Sequence, residues 1–535
     1  MSGRWPLLGL LVLLGSGIGL ALLGWTRPAA PAPADERYFP ALPPPRYLYV
    51  LDARRLTDAE RVMIQTLQGL LAQEEPRIYL EAGPSDRRWL ADLIAFYDIG
   101  YEVRQDPWWY VAHFAPAFQG RYLLYRLGED SENVATALAG VLRAIAIAEP
   151  LEPQAQAHGL TRLLDLRGRD EAWLLEHYGD LFRRDLVIEQ KESIHGSLRD
   201  YGPAVRALTF YDGNSPRRLG WLARIRPGGA VLGWGDPTPS EEAFVRPASQ
   251  LGLVTIPADY ARNLSVLSAI QDRPRQKPAP AEPWPPGPYH YVTFLMSDGD
   301  NVQWLLNDFA LDPRWYGSPV RGRFPMGWTV SPALAELAPS VLRRLYQDAA
   351  EGPGRDVFVA GVSGLGYFYP EVFPAYGPYL PHLTRALERA DLHLVTIMGL
   401  SRVSLSSRWL DDLARSPAIA GFFYLNLHRY HQFDGQITWV QGKPVVAARE
   451  NLWAPTTPAE VAARLNQRPV APTRPEGYSL VNVHPWSRSL ADVAEVVQRL
   501  APHVRVVPPD VFIALIRQQV GPGERGLPLR PSGSR

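Results

Sequence analysis

The feature that most constrains this fold is a series of eight short apolar runs in the second half of the chain. The runs are rich in β-branched and aromatic residues and are spaced about 25 to 37 residues apart. A strand–helix–strand unit needs ~30 residues, and strands that are apolar on both faces are typical of a parallel sheet covered by helices. Eight such units close into a barrel of ~250 residues, so we predict a TIM-like (β/α)₈ barrel over residues 289–520. The runs begin at or near residues 291, 324, 356, 393, 419, 444, 478 and 504.

Amphipathic segments between the runs supply the helices of this barrel. Residues 331–349, 379–390, 457–467 and 489–500 all have apolar side chains at helical spacing. Residues 435–447 differ, because their pattern predicts a hairpin around Gln441-Gly442-Lys443. The barrel is therefore expected to be irregular there, and an open doubly wound sheet is the structural alternative.

The first half of the chain alternates strand and helix patterns in shorter units. RYLYVLDA predicts a buried strand, and Thr57 followed by Glu60 predicts a capped helix start before the strand RIYLE. We predict smaller α/β domains over 37–150 and 151–272, a proline-rich linker at 273–288 and a disordered tail at 521–535.

The N-terminus carries an export pattern. Residues 6–25 are apolar and uncharged, and they are followed by a proline- and alanine-rich spacer. Residues 1–36 are predicted to be either a cleaved signal peptide or a retained membrane anchor, and both place the folded part outside the cytoplasm.

Composition removes several functional classes. Lys plus Arg (55) equals Asp plus Glu (55), so no net charge favours nucleic acid as a partner. Cysteine is absent, which excludes disulfides, thiolate nucleophiles and cysteine metal ligands. We expect no cofactor and infer no protein partner.

Polar and aromatic residues collect where the predicted barrel strands end, which is where barrel enzymes place their active sites. Runs one to three are followed by or contain Asp298, Asp300, Asn301, Trp304, Trp328, Tyr367 and Tyr369; runs five to seven are followed by Asn426, His428, Glu450, Trp453, His484 and Trp486.

Three acids are the candidate catalytic residues. Cleavage of a glycosidic bond requires a protonated acid and an ionised nucleophile or base, and Glu450 facing Asp298 or Asp300 would supply that pair. Two plain alternatives stand beside this hypothesis: the Ser-Asp-Gly-Asp-Asn segment is a tight turn whose side chains cap the next helix, and Glu450 and Glu371 are solvated loop charges. The other residues of this rim are expected to bind substrate, with Asn and His on sugar hydroxyls and aromatic rings stacked on sugar faces.

The segment Gly364–Pro370 reads G-x-G-Y-x-Y-P, and Ser297–Asn301 reads S-D-G-D-N. With these motifs the chain resembles the GxGYxYP family of putative glycoside hydrolases over roughly residues 45–520. The resemblance implies a barrel-type C-terminal domain behind smaller N-terminal α/β domains, and it implies no particular catalytic residues.

The resulting hypothesis is an exported glycoside hydrolase that acts on a carbohydrate through Asp298, Asp300 and Glu450. Two alternatives remain. One is a metal-dependent hydrolase, such as a sugar deacetylase, that uses an aspartate with His428 and His431. The other is a non-catalytic envelope protein that binds glycans.

Overall fold

The computed structural model describes residues 37–235, 238–278, 284–401, 404–405 and 407–522. The predicted signal peptide or anchor lies outside these residues, as does the predicted tail apart from its first two positions. Within the described ranges, none of the helices combines the length and apolar character needed to span a membrane.

Three small parallel sheets form the first half of the protein. The first has the order β2-β1-β3, the second β5-β4-β6 and the third β10-β9-β7-β8. The strands are β1 (Tyr47–Asp52), β2 (Ile78–Glu81), β3 (Gly100–Val103), β4 (Arg121–Tyr125), β5 (Ile145–Ala148), β6 (Thr161–Asp165), β7 (Leu186–Glu189), β8 (Leu208–Phe210), β9 (Ala230–Gly233) and β10 (Val254–Ile256).

Helices connect these strands and cover the sheets. They are α1 (Asp58–Ala72), α2 (Pro84–Tyr97), α3 (Pro107–His113), α4 (Ala115–Phe118), α5 (Asp130–Leu142), α6 (Glu152–Ala157), α7 (Glu171–Tyr178), α8 (Tyr201–Val205), α9 (Pro216–Leu222), α10 (Glu241–Gln250) and α11 (Leu264–Leu267).

Local sequence signals account for much of this half. The Thr57 side chain accepts from the backbone of Glu60 while the Glu60 side chain accepts from the backbone of Thr57, so the predicted capping box is formed. Helix α5 ends at Leu142, because Arg143 takes a left-handed conformation, and Ile145–Ala148 is a strand. Its alternating β-branched residues favour the extended form.

The second half contains the barrel. Its strands are β11 (His290–Met296), β12 (Met326–Val330), β13 (Asp356–Ala360), β14 (Leu394–Gly399), β15 (Gly421–Asn426), β16 (Ile437–Val440), β17 (Lys443–Leu452), β18 (Tyr478–Val483) and β19 (Val504–Val506). Its helices are α12 (Val302–Leu306), α13 (Leu334–Leu337), α14 (Pro339–Asp348), α15 (Tyr376–Ala390), α16 (Arg408–Ala414), α17 (Pro458–Asn466), α18 (Leu490–Gln498) and α19 (Pro509–Leu515), the last followed by a π-helical turn, Ile516–Val520. Short 3₁₀ turns lie at Ala53–Arg55, Glu149–Leu151, Gly179–Leu181, Gly352–Gly354, Pro370–Val372 and Pro475–Gly477.

Every one of the eight predicted runs forms a strand, but seven strands close the ring. The order β11-β12-β13-β14-β15-β17-β18 returns to β11, and all neighbours in it are parallel. Strand β19 has three residues and pairs only with the first half of β11. Because β11 and β12 pair directly at Leu295 and Met296, β19 does not enter the ring, and the exact eight-stranded form is not reached.

The hairpin prediction is confirmed. Strand β16 pairs antiparallel with β17, and Gln441 and Gly442 at its turn both have positive φ, at 47° and 74°. Two successive left-handed residues are the conformation that a tight hairpin turn requires. The ring closure excludes the open doubly wound sheet.

Candidate functional site

A cavity of about 220 Å³ lies where the third N-terminal sheet meets the carboxyl ends of the barrel strands. Both parts of the protein line it. The third sheet and its helix contribute Trp234, Glu241 and Pro257; the barrel contributes Ser297, Asp298, Asp300, Asn301, Gln303, Val362, Tyr367, Met398, Tyr430 and Trp486.

The Ser297–Asn301 loop turns sharply at the end of β11. Asp298 has a φ of 68°, a left-handed conformation that aspartate tolerates better than most residues. The next residue, Gly299, lies against β12: its amide donates to Thr329 Oγ1 at 2.8 Å, and a Cβ there would lie 1.7 Å from the Thr329 carbonyl oxygen. Only glycine fits this approach, and the loop it permits places both aspartates in the cavity.

Asp298 is the more accessible of the two aspartates. Its Oδ1 accepts a hydrogen bond of 2.9 Å from Trp486 Nε1, and its Oδ2 accepts from the Ser297 hydroxyl. Both carboxyl oxygens are therefore acceptors, which is the pattern of an ionised carboxylate.

Asp300 differs in its environment. It is buried, and burial raises its pKa well above the ordinary value, with further increases from the charges of Asp298 and then Glu241. A carboxyl group beside other acids and away from water retains its proton at a higher pH than usual.

Glu241 is the third acid of the cavity and begins helix α10. Ser240 caps this helix by accepting from the Ala243 amide at 3.2 Å, which holds the first turn in place. Glu241 as a whole residue is exposed, but the surrounding protein shields its carboxyl group from water and so raises its pKa. The charge of Asp298 raises this pKa further, and a hydrogen bond donated by the Tyr367 hydroxyl opposes the shift. The site thus combines a carboxylate from the barrel with an acid of raised pKa from the third sheet.

The G-x-G-Y-x-Y-P loop connects these two parts. Tyr367 forms an antiparallel bridge with Thr255 of edge strand β10, with N–O distances of 2.9 and 2.7 Å. Gly366 allows this contact, since a Cβ there would lie 2.7 Å from Ile256 Cγ1. Tyr367 lines the cavity, whereas Tyr369 stands behind it, with its hydroxyl 3.1 Å from that of Tyr367. The motif therefore joins the domains and directs one tyrosine onto Glu241.

Two further aromatic residues form the walls. Trp486 is 48% exposed, and its ring packs on those of Trp304 and Trp315 at centroid distances of 5.1 and 5.9 Å. Tyr430 packs on Trp453 at 5.0 Å, and burial together with the charges of the three acids raises its pKa well above the ordinary value. Tyr430 is therefore a neutral hydroxyl donor beside the acids.

His484 lies close behind this wall. Its ring stacks on Trp453 at 3.4 Å, and its Nδ1 lies 3.0 Å from Ser487 Oγ. Burial lowers the pKa of His484, while the charge of Asp298 acts in the opposite direction. Neither His484 nor Trp453 lines the cavity itself.

The structure does not bring Glu450 to the aspartates, contrary to our prediction. A β-bulge between Ala448 and Glu450 shifts the alternation of β17. The Glu450 side chain is 3% exposed and pairs with Arg464 of α17 at 2.7 Å and with Arg468 at 3.3 Å. It belongs to the contact between β17 and the outer helices, so the alternative of a solvated loop charge does not describe Glu450 either.

Several residues that we predicted to bind sugar instead pack or form hydrogen bonds within the protein. Trp328 is fully buried and donates from Nε1 to Asp356 at 2.7 Å, because its place in β12 directs it into the core. Trp304 is 4% exposed and supports Trp486 from beneath. Asn426 is buried and joins loops, since its Nδ2 donates to the Ser401 carbonyl and its Oδ1 accepts from the His428 amide.

Asn301 has two roles. It lines the cavity, and its Oδ1 accepts from the Trp304 amide at 3.2 Å to cap α12, so the capping alternative holds for this residue. Glu371 holds a loop, because its Oε1 accepts from the amides of Leu400 and Ser401.

The His-x-x-His pair does not form a metal site with the aspartates. His428 is exposed and absent from the cavity lining, and His431 Nε2 lies 3.4 Å from the Arg429 guanidinium. Among the residues that the structure describes, no group of three or more His, Asp or Glu side chains is arranged to hold a metal ion.

Sequence reasoning missed the contribution of the first half of the chain. Trp234 and Glu241 follow strand β9 in the segment WGDPTPSEE. The rule that polar residues after a parallel strand mark a site applies there as well, but we applied it only to the barrel. Tyr430 lies between His428 and His431, the two histidines of the metal-dependent alternative, and we predicted no role for it.

Comparisons with known proteins agree with this two-part architecture. Residues 289–517 match the family model described as "GxGYxYP putative glycoside hydrolase C-terminal domain". Residues 47–116, 122–182 and 184–269 match the first, second and third N-terminal domains of the same family, in that order. No curated protein matches the chain.

A crystal structure of a putative hydrolase from Bacteroides thetaiotaomicron VPI-5482 is similar along nearly its whole length. The two share 32% sequence identity with a TM-score of 0.83, and the match covers 92% of this chain and 99% of that one. Four domain matches in the expected order, together with this structural likeness, confirm the resemblance: the chain belongs to the GxGYxYP family.

Proposed function

We propose that the protein is a glycoside hydrolase whose active site is the cavity between the third sheet and the barrel. The observation that carries the proposal is the carboxyl set Asp298, Asp300 and Glu241, in which one group has the pattern of a carboxylate and two have raised pKa values. Hydrolysis of a glycosidic bond needs both states in one site. The family description and the similar hydrolase structure support the same reaction class.

Glu241 is the general acid in this mechanism. Its raised pKa keeps a proton available, which it transfers to the glycosidic oxygen as the bond to the anomeric carbon breaks. The hydrogen bond from Tyr367 then stabilises the carboxylate that forms on Glu241. Glu241 thus takes the role that sequence analysis gave to Glu450.

Asp298 acts on the other side of the reaction. Its negative charge stabilises the oxocarbenium-like transition state, and Asp298 either attacks the anomeric carbon or removes a proton from the attacking water. Trp486 and Ser297 orient the carboxylate through their hydrogen bonds. Asp300 retains its proton and donates to a substrate hydroxyl, as does Tyr430.

We further propose that the enzyme acts outside the cytoplasm. The uncharged apolar segment at residues 6–25 and the spacer after it support export.

The test is hydrolysis of a panel of 4-nitrophenyl glycosides and oligosaccharides by the wild type and three variants. Asp298→Asn should lower kcat/KM on the substrate found by at least ~10²-fold, and Glu241→Gln should do so on the oligosaccharide, whose leaving group needs a proton. Glu450→Gln is the matched control outside the cavity. Loss of activity in Glu450→Gln with full activity in Glu241→Gln would reverse the assignment. No hydrolysis of any glycoside would refute the proposal.

A further inference from the structure

We infer that this site removes one terminal sugar at a time from the end of a glycan chain, and that Tyr260 and Trp486 hold the sugars of the leaving group. This inference rests on the proposed function and specifies its substrate.

The first observation is the size of the cavity. Its volume of about 220 Å³ is below the ~300–1,000 Å³ of sites that enclose drug-sized ligands. The third sheet supplies one wall, through Trp234, Glu241 and Pro257, in addition to the walls of the barrel. A cavity of this size holds about one sugar ring, so the rest of a chain has to lie outside it.

The second observation is a pair of exposed aromatic side chains beside the cavity. Tyr260 is 52% exposed and Trp486 is 48% exposed. Each of the two side chains therefore leaves about half of its surface open to a ligand. Flat rings with a polar edge suit the apolar face of a sugar, and the energy of ring contacts is available only when a ligand covers them.

The Tyr260 backbone and the Trp486 ring both contact the short helix α12 or the residue that follows it. The Tyr260 amide donates to Gln303 Oε1 at 2.6 Å, and its carbonyl accepts from Asn307 Nδ2 at 3.1 Å. Trp486 packs on Trp304 of this helix. Gln303 itself lines the cavity, so the helix connects the exposed rings to the reacting groups.

The backbone around Tyr260 is fixed before any ligand binds. In addition to those bonds, the Gln303 amide donates to the Pro257 carbonyl at 3.2 Å, and Pro257 lines the cavity. A platform that is already ordered loses little conformational entropy on binding. The position and rigidity of these residues favour a sugar chain that leaves the cavity over α12.

The test uses two substrates of the sugar that the panel identifies: its 4-nitrophenyl glycoside and a linear tetrasaccharide labelled at the reducing end with 2-aminobenzamide. Chromatography of the labelled products should show successive loss of single sugars. Release of a labelled disaccharide as the first product would overturn the inference while leaving the glycoside hydrolase in place. No cleavage of either substrate would refute the proposed function itself.

A variant pair tests the platform. Tyr260→Ala should lower the ratio of kcat/KM for the tetrasaccharide to kcat/KM for the aryl glycoside by about 5- to 30-fold, since stacking contributes only when a further sugar is present. Tyr101→Ala is the matched control, because Tyr101 is 49% exposed and lies on edge strand β3 of the first sheet. An unchanged ratio in Tyr260→Ala, or an equal fall in Tyr101→Ala, would overturn the platform.

Discussion

Replacement of Tyr367 by Phe tests how the family motif serves the reaction. The Tyr367 hydroxyl donates to Glu241 and lies 3.1 Å from the Tyr369 hydroxyl, while the ring is 5% exposed. Phenylalanine preserves the ring and leaves no cavity. The variant therefore removes one hydrogen bond to an ionisable group and one between hydroxyls.

The magnitude follows from the first of these bonds. A hydrogen bond to a charged group contributes ~1.5–3 kcal/mol, and here it strengthens as Glu241 gives up its proton in the transition state. At ~1.4 kcal/mol per tenfold, kcat/KM should fall by roughly 10- to 150-fold. The bond also opposes the rise in the pKa of Glu241, so its loss should move the alkaline limb of the pH–kcat/KM profile to higher pH.

The assay is kcat/KM on a 4-methoxyphenyl glycoside, whose poor leaving group needs the proton of Glu241, across pH for the wild type, Tyr367→Phe and Tyr369→Phe. Tyr369→Phe loses the hydrogen bond between the two hydroxyls, but Tyr369 has no hydrogen bond to Glu241. The alkaline limb of its pH profile should therefore stay within about 0.3 pH units of that of the wild type. A Tyr367→Phe profile that keeps both its height and its alkaline limb would refute the role of Tyr367.

Two further predictions concern buried acids outside the cavity. Glu450→Gln should reduce the free energy of unfolding by ~1–3 kcal/mol in urea titrations, because it weakens the ion pairs with Arg464 and Arg468. The same variant should change kcat/KM by less than about 3-fold. A loss of activity without a loss of stability would contradict this prediction. Burial, with smaller contributions from Asp130 and Glu192, raises the pKa of Glu171 from 4.5 to about 8, so the native state retains a proton that the unfolded chain releases. The free energy of unfolding of the wild type is therefore unaffected by this group below pH 4.5 and decreases as the pH rises to about 8. In urea unfolding, Glu171→Gln should exceed the wild type in this free energy by up to ~5 kcal/mol at pH 8 and should equal it at pH 4. An equal effect at both pH values would refute the assignment.

Much of the fold could be predicted because its signals are local. Each apolar run that became a barrel strand carries its own β-branched pattern, and the capping box at Thr57 needs only Glu60. The closure of the ring is different, because it depends on whether β19 is long enough to separate β11 from β12. The three residues of β19 are too few to separate β11 from β12, and no local sequence pattern predicts this length.

The candidate site was harder to predict for the same physical reason. Both aspartates of the loop Ser297–Asn301 lie within five residues of sequence, and this loop does line the cavity. Glu241 lies in another domain, and contacts distant in sequence, such as the bridge between Thr255 and Tyr367, bring it to Asp298. Glu450 lies within strand β17 of the ring, and one inserted residue in that strand turns its side chain toward α17.

The central claim is that the third sheet supplies the proton for a reaction at the barrel mouth. The most direct measurement compares Glu241→Gln with the wild type on two aryl glycosides of one sugar, one with a good leaving group (2,4-dinitrophenyl) and one with a poor leaving group (4-methoxyphenyl). A missing general acid should cost ~10²–10⁴-fold in kcat/KM on the poor leaving group and less than about 10-fold on the good one, which departs without a proton. Equal losses on both substrates, or no loss on either, would contradict the claim.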